Sequence, residues 1–278
     1  MSYRTIHLTL TPHPTPTSKS AIDYACRAAL RFSAKLNVTS PHLSVRTPTH
    51  VIAGGMMAGM AREFERDAAA RSAELEQYVR EKGAGIGLEV IVAPIPETWP
   101  SSASDMTWRG RTSDLCIMGL LQTGAEGRLD VEDWIFGVGR PCLLYPDDSQ
   151  DAFGLESILI SWDFSKSAAR AVFDALPILK AAQNVRVATI RGEKDIGIED
   201  PKTPLLEFLA SHDVKAEFVE VELGAHSIGR TILDQAHNAH ADLLVVGAYG
   251  HSRMKEFVLG GATKEILNTT RIPLFMSH

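Results

Sequence analysis

The stretch DLLVVG at residues 242–247 is apolar from its second residue onward and ends on a glycine. A closely similar stretch, DLCIMG, occurs at residues 114–119. Continuous apolar runs of this kind are typical of parallel strands that helices cover on both faces. Segments with helical periodicity separate such runs along the chain, and this alternation indicates βαβ units. The sequence therefore predicts an α/β fold built on a mostly parallel sheet.

The same patterns give approximate bounds for each element. We expect strands at residues 5–11, 37–46, 87–94, 114–120, 142–146, 157–162, 184–191, 214–222, 242–248 and 272–277. We expect helices at residues 18–35, 56–83, 98–110, 130–138, 165–182, 203–211, 226–240 and 256–269.

The two halves of the chain look like copies of each other. SKSA occurs at residues 18–21 and again at 165–168, and RPCLL at 140–144 is echoed by RIPLF at 271–275. With the two apolar stretches above, three matches in the same order indicate an internal duplication. We expect two tandem doubly wound domains, residues 1–148 and 153–278, each with a five-stranded mostly parallel sheet flanked by helices. The acidic segment 147–151 would link them.

Composition excludes several classes of protein. The chain has 278 residues and a formal net charge of −6, without the basic excess that generic nucleic-acid binding needs. No stretch approaches the ~20 apolar residues of a membrane span. The first residues alternate in polarity like a strand, so we expect a cytoplasmic protein. Three cysteines without a CxxC pair indicate buried free thiols rather than a zinc or redox site.

One segment carries candidate chemistry. Residues 247–264 read GAYGHSRMKEFVLGGATK and connect an apolar strand to a helix. Ligands of parallel α/β sheets bind beyond the carboxyl ends of strands, glycine lets a phosphate approach the backbone, and a helix N-terminus attracts anions. A tight turn before a helix explains the glycines equally well. The candidate ligand-binding residues here are Gly247, Gly250, His251, Gly260, Gly261 and Thr263.

The spacing of Gly247, Gly250 and Gly260 resembles the ATP-binding motif of universal stress proteins. The segment ISWDFSKSAARA at 160–171 also resembles the first strand and turn of that family. The resemblance covers nearly the whole chain as two tandem domains. It implies an adenine-nucleotide-binding Rossmann-like fold, with Asp163 facing the ribose or adenine and ATP held in the C-terminal domain. Mg²⁺ would accompany the phosphates.

The chain departs from the family pattern at several places. Gly261 stands where nucleotide-binding members usually have Ser or Thr, so a hydroxyl donor is missing. In the first copy Gln122 replaces the second glycine, and matching the SKSA repeats puts Pro16 opposite Asp163. Residues 123–133 add four acids and one arginine, which would repel phosphates. We therefore expect no nucleotide in the N-terminal domain, whose role would be to pair with the second.

These features predict a non-enzymatic stress-response protein that binds an adenine nucleotide. Paired carboxylates, an activated nucleophile and a metal cage are not evident near the glycine loop. Two alternatives stay open, a slow ATPase or nucleotidyl-transfer enzyme and a ligand-free scaffold. We expect the halves to form an internal pseudo-dimer through antiparallel pairing of their last strands, with a further homodimer as an additional arrangement. Asp234, His237 and His240 share one helix side, which we interpret as a solvated face rather than a metal site.

Overall fold

The computed structural model of the chain describes residues 2–11, 15–40, 54–94, 103–120, 125–147, 149–191, 200, 202–248 and 261–278. The strands are β1 (Thr5–Thr9), β2 (Lys35–Ser40), β3 (Val90–Pro94), β4 (Leu115–Leu120), β5 (Cys142–Pro146), β6 (Ser157–Ser161), β7 (Asn184–Arg191), β8 (Ala216–Glu222), β9 (Leu243–Gly247) and β10 (Leu274–Ser277). The helices are α1 (Lys19–Phe32), α2 (Gly54–Ile86), α3 (Ala103–Gly110), α4 (Ala125–Val138), α5 (Lys166–Ala181), α6 (Thr203–Ser211), α7 (Ile228–Asn238) and α8 (Gly261–Thr269).

The ten strands of the described residues form one sheet, in the order β3-β2-β1-β4-β5-β10-β9-β6-β7-β8. Every neighbouring pair is parallel except β5 and β10, which run antiparallel. The first five and the last five strands follow the same relative order, so the two halves meet at their final strands. Both the α/β fold class and the predicted pairing of the last strands are confirmed.

The junction between the halves is part of the hydrophobic core. Leu144 lies opposite Leu274 and Leu143 opposite Phe275, and all four side chains are fully buried. Leu143 and Phe275 belong to the apolar layer on one face of the sheet, while Leu144 and Leu274 belong to the layer on the other face. Both core layers are therefore continuous from one half into the other.

The aspartates that open the two repeated stretches have matching structural roles. Asp114 Oδ2 accepts hydrogen bonds from the backbone N–H groups of Arg4 and Thr5, at 2.8 and 2.9 Å. Asp242 Oδ2 accepts from the backbone N–H groups of Glu156 and Ser157, at 2.6 and 2.9 Å. Burial acts to raise the pKa of Asp114, but the hydrogen bonds that its carboxylate accepts lower the pKa overall. Each aspartate thus fastens the start of a strand in its own half.

A buried polar pair distinguishes the first half from the second. His7 Nε2 lies 3.0 Å from Thr39 Oγ1, and both residues are buried. Burial, with a smaller effect of the Arg109 charge, lowers the pKa of His7 to about 4. The strand registers put the buried apolar residues Leu159 and Ala188 at the corresponding positions of the second half. The fold itself therefore does not require a polar pair here.

The cysteines of the chain agree with the sequence prediction. Cys26, Cys116 and Cys142 are all buried free thiols. Burial raises the pKa of Cys26 and of Cys116 to about 12. None of the helices within the described residues is at once long and apolar enough to cross a membrane.

Candidate functional site

The topology places a crevice between β6 and β9. These neighbouring parallel strands end at the same edge of the sheet, but the chain leaves them in opposite directions. From β6 it passes through α5 to β7, and from β9 it passes through α8 to β10. A sheet opens between strands whose connections diverge in this way, and open α/β folds bind ligands at such switch points. The candidate residues follow these two strands.

Asp163 follows β6 and lies at the mouth of this crevice. Its Oδ1 accepts a hydrogen bond from the backbone N–H of Ser165 at 3.0 Å. The Ser165 hydroxyl oxygen in turn accepts from the N–H of Ala168 at 3.1 Å and caps α5. The Asp163 side chain is only half-buried. The capped turn therefore orients a carboxylate at the sheet edge while leaving it within reach of solvent.

Gly247, the last residue of β9, allows a close approach of backbone to backbone. A Cβ at this position would lie 2.5 Å from the backbone N of Ala168 and 2.7 Å from the carbonyl carbon of Ser167. The first turn of α5 consequently packs directly on the end of β9. The sequence indicated Gly247 as a point of phosphate approach, but the structure gives it a packing role that any side chain would disrupt.

The other candidate residues belong to the segment that leads into α8. Gly250, His251 and Gly260 lie outside the described residues. Gly261 begins α8 and is exposed, and an added Cβ there would meet no heavy atom of the described residues within 4 Å. Thr263 is buried on the same stripe as Ile266 and Leu267. Thr263 thus faces the core, and its predicted phosphate contact stays a prediction.

The corresponding crevice of the first half lies between β1 and β4, where Asp147 occupies space next to Gly119. A Cβ on Gly119 would lie 2.8 Å from Asp147 Oδ1. That same oxygen accepts hydrogen bonds from the Ser18 hydroxyl at 2.8 Å and the Ser18 N–H at 3.3 Å. Ser18 caps α1, so the chain's own carboxylate lies at a helix N-terminus that favours an anion.

Asp147 was missed as a functional residue because it falls in the segment predicted to be a linker. The signal was present in the sequence as an acid that directly follows β5 in the first half. Its partner Ser18 is far away along the chain, and only the fold brings the two together. The linker itself is held by further bonds, including one from the Tyr145 hydroxyl to the Asp151 carbonyl at 3.0 Å.

The strand register refines the comparison of the two turns. Leu10 N–H donates to the Thr39 carbonyl, just as Trp162 N–H donates to that of Ala188. When the two turns are aligned from the ends of β1 and β6, Thr11 therefore corresponds to Asp163. When they are aligned from the starts of α1 and α5, Pro16 corresponds to Asp163. The first half has five additional residues in this turn, and neither alignment gives it a carboxylate there.

Of the three possible metal ligands, Asp234 and His237 lie on α7, whereas His240 follows the end of that helix with a φ of 47°. Asp234 pairs with Arg230 at 2.9 Å, and the side chains of His237 and His240 are exposed. Within the part of the chain that the structure describes, no group of three or more His, Cys, Asp or Glu residues could hold a metal ion. The interpretation of this side of α7 as a solvated face agrees with these contacts.

Comparisons with known proteins agree with the fold. The model of the universal stress protein family matches residues 154–278. Universal stress protein Slr1230 of Synechocystis is 30% identical over 156 residues, which are 54% of this chain and 52% of that protein. The crystal structure of a universal stress protein from Archaeoglobus fulgidus covers 98% of this chain with a TM-score of 0.71, at 14% identity and over 95% of its own length. The crystal structure of a functionally unknown protein from Pseudomonas aeruginosa covers 98% of this chain and 92% of its own, with a TM-score of 0.60 at 13% identity.

Residues 154–278 therefore belong to the universal stress protein family, as the sequence motifs implied. The structural similarity over the whole length shows that the first half shares the fold. The chain spans about half the length of the curated relative that it matches. The division into two domains at residues 148 and 153 stays a prediction.

Proposed function

We propose that the second half of the chain binds ATP or a related adenine nucleotide in the crevice between β6 and β9. The observation that carries this proposal is the position of two residues beside the topological switch point: Asp163, which follows β6, and Gly247, which ends β9. Asp163 presents a half-exposed carboxylate there, suited to ribose hydroxyls or an adenine amine. The glycine-rich residues 249–261 lead from this edge to the N-terminus of α8.

The residues present fit a nucleotide whose phosphates bind at the start of α8. The first N–H groups of a helix have no partner within the helix, and its dipole favours an anion. Among the described residues, no heavy atom lies within 4 Å of a Cβ built on Gly261, which leaves this end of α8 open to a phosphate. When bound, the nucleotide supplies the negative charge, and Mg²⁺ would arrive on its phosphates. In this proposal Gly250, His251, Gly260 and Thr263 complete the phosphate site.

The first half would hold no nucleotide in this proposal. Asp147 already places a carboxylate at the N-terminus of α1, next to Gly119. A phosphate entering that crevice would have to displace it and would meet like charge. The first half instead completes the sheet through β5. We therefore propose one nucleotide per chain.

The proposed role is non-enzymatic: a cytoplasmic stress-response protein whose bound nucleotide shifts its conformation or its partners. Isothermal titration with ATP and Mg²⁺ tests the binding step, and we expect a stoichiometry of one. Gly250→Val should remove measurable binding, because a branched side chain blocks the backbone from the phosphates. Gly224→Val is the matched control, since a Cβ at Gly224 meets nothing within 4 Å.

Asp163→Asn separates binding from catalysis. Asparagine still accepts the hydrogen bond from Ser165, so the turn is preserved and only the charge is lost. We expect a weakening of about 1–3 kcal/mol, smaller than the effect of Gly250→Val. A larger effect than that of Gly250→Val, together with phosphate release from ATP, would favour a slow ATPase. Wild-type protein that binds no nucleotide would favour the scaffold.

A further inference from the structure

A cavity lies between α5 and α6 on one face of the sheet, on the other side of the turn that carries Asp163. It has a volume of about 390 Å³, within the range of small-molecule sites. Four aromatic side chains line it, together with aliphatic groups and one carboxylate. The aromatic residues are Trp162, Phe164, Phe173 and Phe208. Gly247 and α8, which flank the proposed nucleotide site, contribute nothing to this lining.

The first half shows that the fold does not require this cavity. The SKSA repeats align Phe173 with Cys26, and Cys26 is fully buried in the core. The long helix α2 packs against α1 there, and its residues Leu75 and Val79 are buried. Its counterpart α6 has nine residues, whereas α2 has 33. The second half therefore leaves open, among its described residues, a space that the first half fills.

Two features of the lining present aromatic surface to the cavity. Phe173 has 42% of its surface exposed at the rim. Phe164 has a φ of 62°, a left-handed conformation that is rare for a bulky residue. This conformation brings its ring to 5.7 Å from that of Trp162, edge to face. The turn thus holds two aromatic rings on the cavity side at a conformational cost.

The described lining residues include one carboxylate, whose charge determines which ligand fits. Asp200 precedes α6 and accepts hydrogen bonds from Lys202 N–H at 3.2 Å, Thr203 N–H at 3.1 Å and the Thr203 hydroxyl at 2.6 Å. The Thr203 hydroxyl bond, followed by the backbone bonds, lowers the pKa of Asp200. The other lining residues that the structure describes are uncharged. An ionised carboxylate therefore stands at the edge of an aromatic cavity.

We propose that this cavity binds a small organic cation with an apolar body, such as a substituted ammonium compound. Aromatic ring faces attract cations, and apolar walls accept the alkyl or aryl groups that an ammonium ion carries. Asp200 supplies the opposite charge and rejects anions of similar shape. This ligand site goes beyond the proposed nucleotide function and does not depend on it.

Three probes that share a benzyl group and differ in charge test the proposal by isothermal titration. They are benzyltrimethylammonium, benzyl alcohol and phenylmethanesulfonate. We expect the cation to bind about tenfold more tightly than the anion, with the neutral alcohol in between. Asp200→Asn should remove most of this preference while keeping the helix cap, because asparagine caps as well as aspartate.

Matched variants separate the cavity from general effects. Asp213→Asn removes the same charge at the other end of α6 and should leave the preference intact, since asparagine tolerates the left-handed conformation at that position. Phe173→Ser should weaken binding of the cation and the alcohol, whereas Leu30→Ser, at a 46% exposed site on α1, should not. Gly250→Val should leave cation binding unchanged whatever it does to nucleotides.

Two results would overturn the proposal. Equal affinity for the three probes would show that charge plays no part in recognition. Wild-type protein that binds none of them would show that the cavity is filled by the chain itself or is too open to retain a ligand.

Discussion

Gly261→Ser should raise the affinity of the chain for nucleotides. The family usually carries Ser or Thr where this chain has Gly261, so the change restores a hydroxyl donor. The described residues leave room for the side chain, because none of their heavy atoms lies within 4 Å of an added Cβ. Gly261 also has no positive φ that would require glycine.

The expected gain follows from one added hydrogen bond to a charged group. Such bonds contribute about 1.5–3 kcal/mol, which corresponds to a roughly tenfold to hundredfold lower dissociation constant. The effect on folding should be much smaller, about 0.5 kcal/mol, because serine is only slightly better than glycine in a helix. A large change in affinity with a small change in stability is therefore the expected pattern.

Isothermal titration with ATP and Mg²⁺ measures the affinity, and urea unfolding measures the stability of each variant. Gly59→Ser is a matched control, because Gly59 lies in helix α2 of the first half and also has no atom within 4 Å of an added Cβ. The reasoning is refuted if Gly261→Ser and Gly59→Ser have the same affinity as the original chain while that chain binds ATP. The hydroxyl at position 261 would then not reach a phosphate.

Three further predictions concern stability and are checked by denaturant unfolding. Gly247→Ala should destabilise the chain by about 1–3 kcal/mol, because the added Cβ meets the backbone of α5. Gly119→Ala should lower the stability less, because its added Cβ meets the side chain of Asp147, which can move. Asp114→Asn should reduce the loss of stability below about pH 4, since the pKa of Asp114 is lowered in the fold and its contribution disappears as the carboxylate is protonated. Replacing both His7→Leu and Thr39→Ala should flatten the pH dependence of the free energy of unfolding between about pH 6.5 and 4. Over this range His7 is protonated in the unfolded chain but stays neutral in the fold, which lowers the stability of the original chain by up to about 3 kcal/mol. An unchanged slope would contradict the assignment.

The sequence predicted the core of the fold because the decisive signals are local. Runs such as residues 242–247 are apolar throughout, and their alternation with helical segments left few topologies to choose from. Exact bounds were harder to obtain. We expected the second strand at 37–46, whereas β2 already begins at Lys35, and residues 41–46 lie outside the described residues. We expected the first helix at 18–35, whereas α1 is Lys19–Phe32.

The candidate site was only partly predictable, because its decisive contacts join distant residues. Asp147 occupies the crevice of the first half and accepts a hydrogen bond from Ser18. The sequence around neither residue predicts that contact. The sequence predicted that Gly247 lets a phosphate approach the backbone. In the structure, the missing side chain of Gly247 lets the first turn of α5 pack against the end of β9. The cavity beside Phe173 depends on the different lengths of α2 and α6, which a comparison of the two repeats shows only once both are folded.

The central position of β5 has a consequence for how the chain is made. In the finished protein, one edge of β5 pairs with β4 and the other with β10, and all the residues from Cys142 to Tyr145 are buried. Residues 147–273 must leave the ribosome before β10 can follow, which takes on the order of ten seconds. During that interval the nascent first half displays an apolar strand edge. Neighbouring nascent chains on one messenger RNA display the same edge, so pairing between two copies competes with completion of the sheet within one chain. Slower translation of the second half would favour pairing between copies.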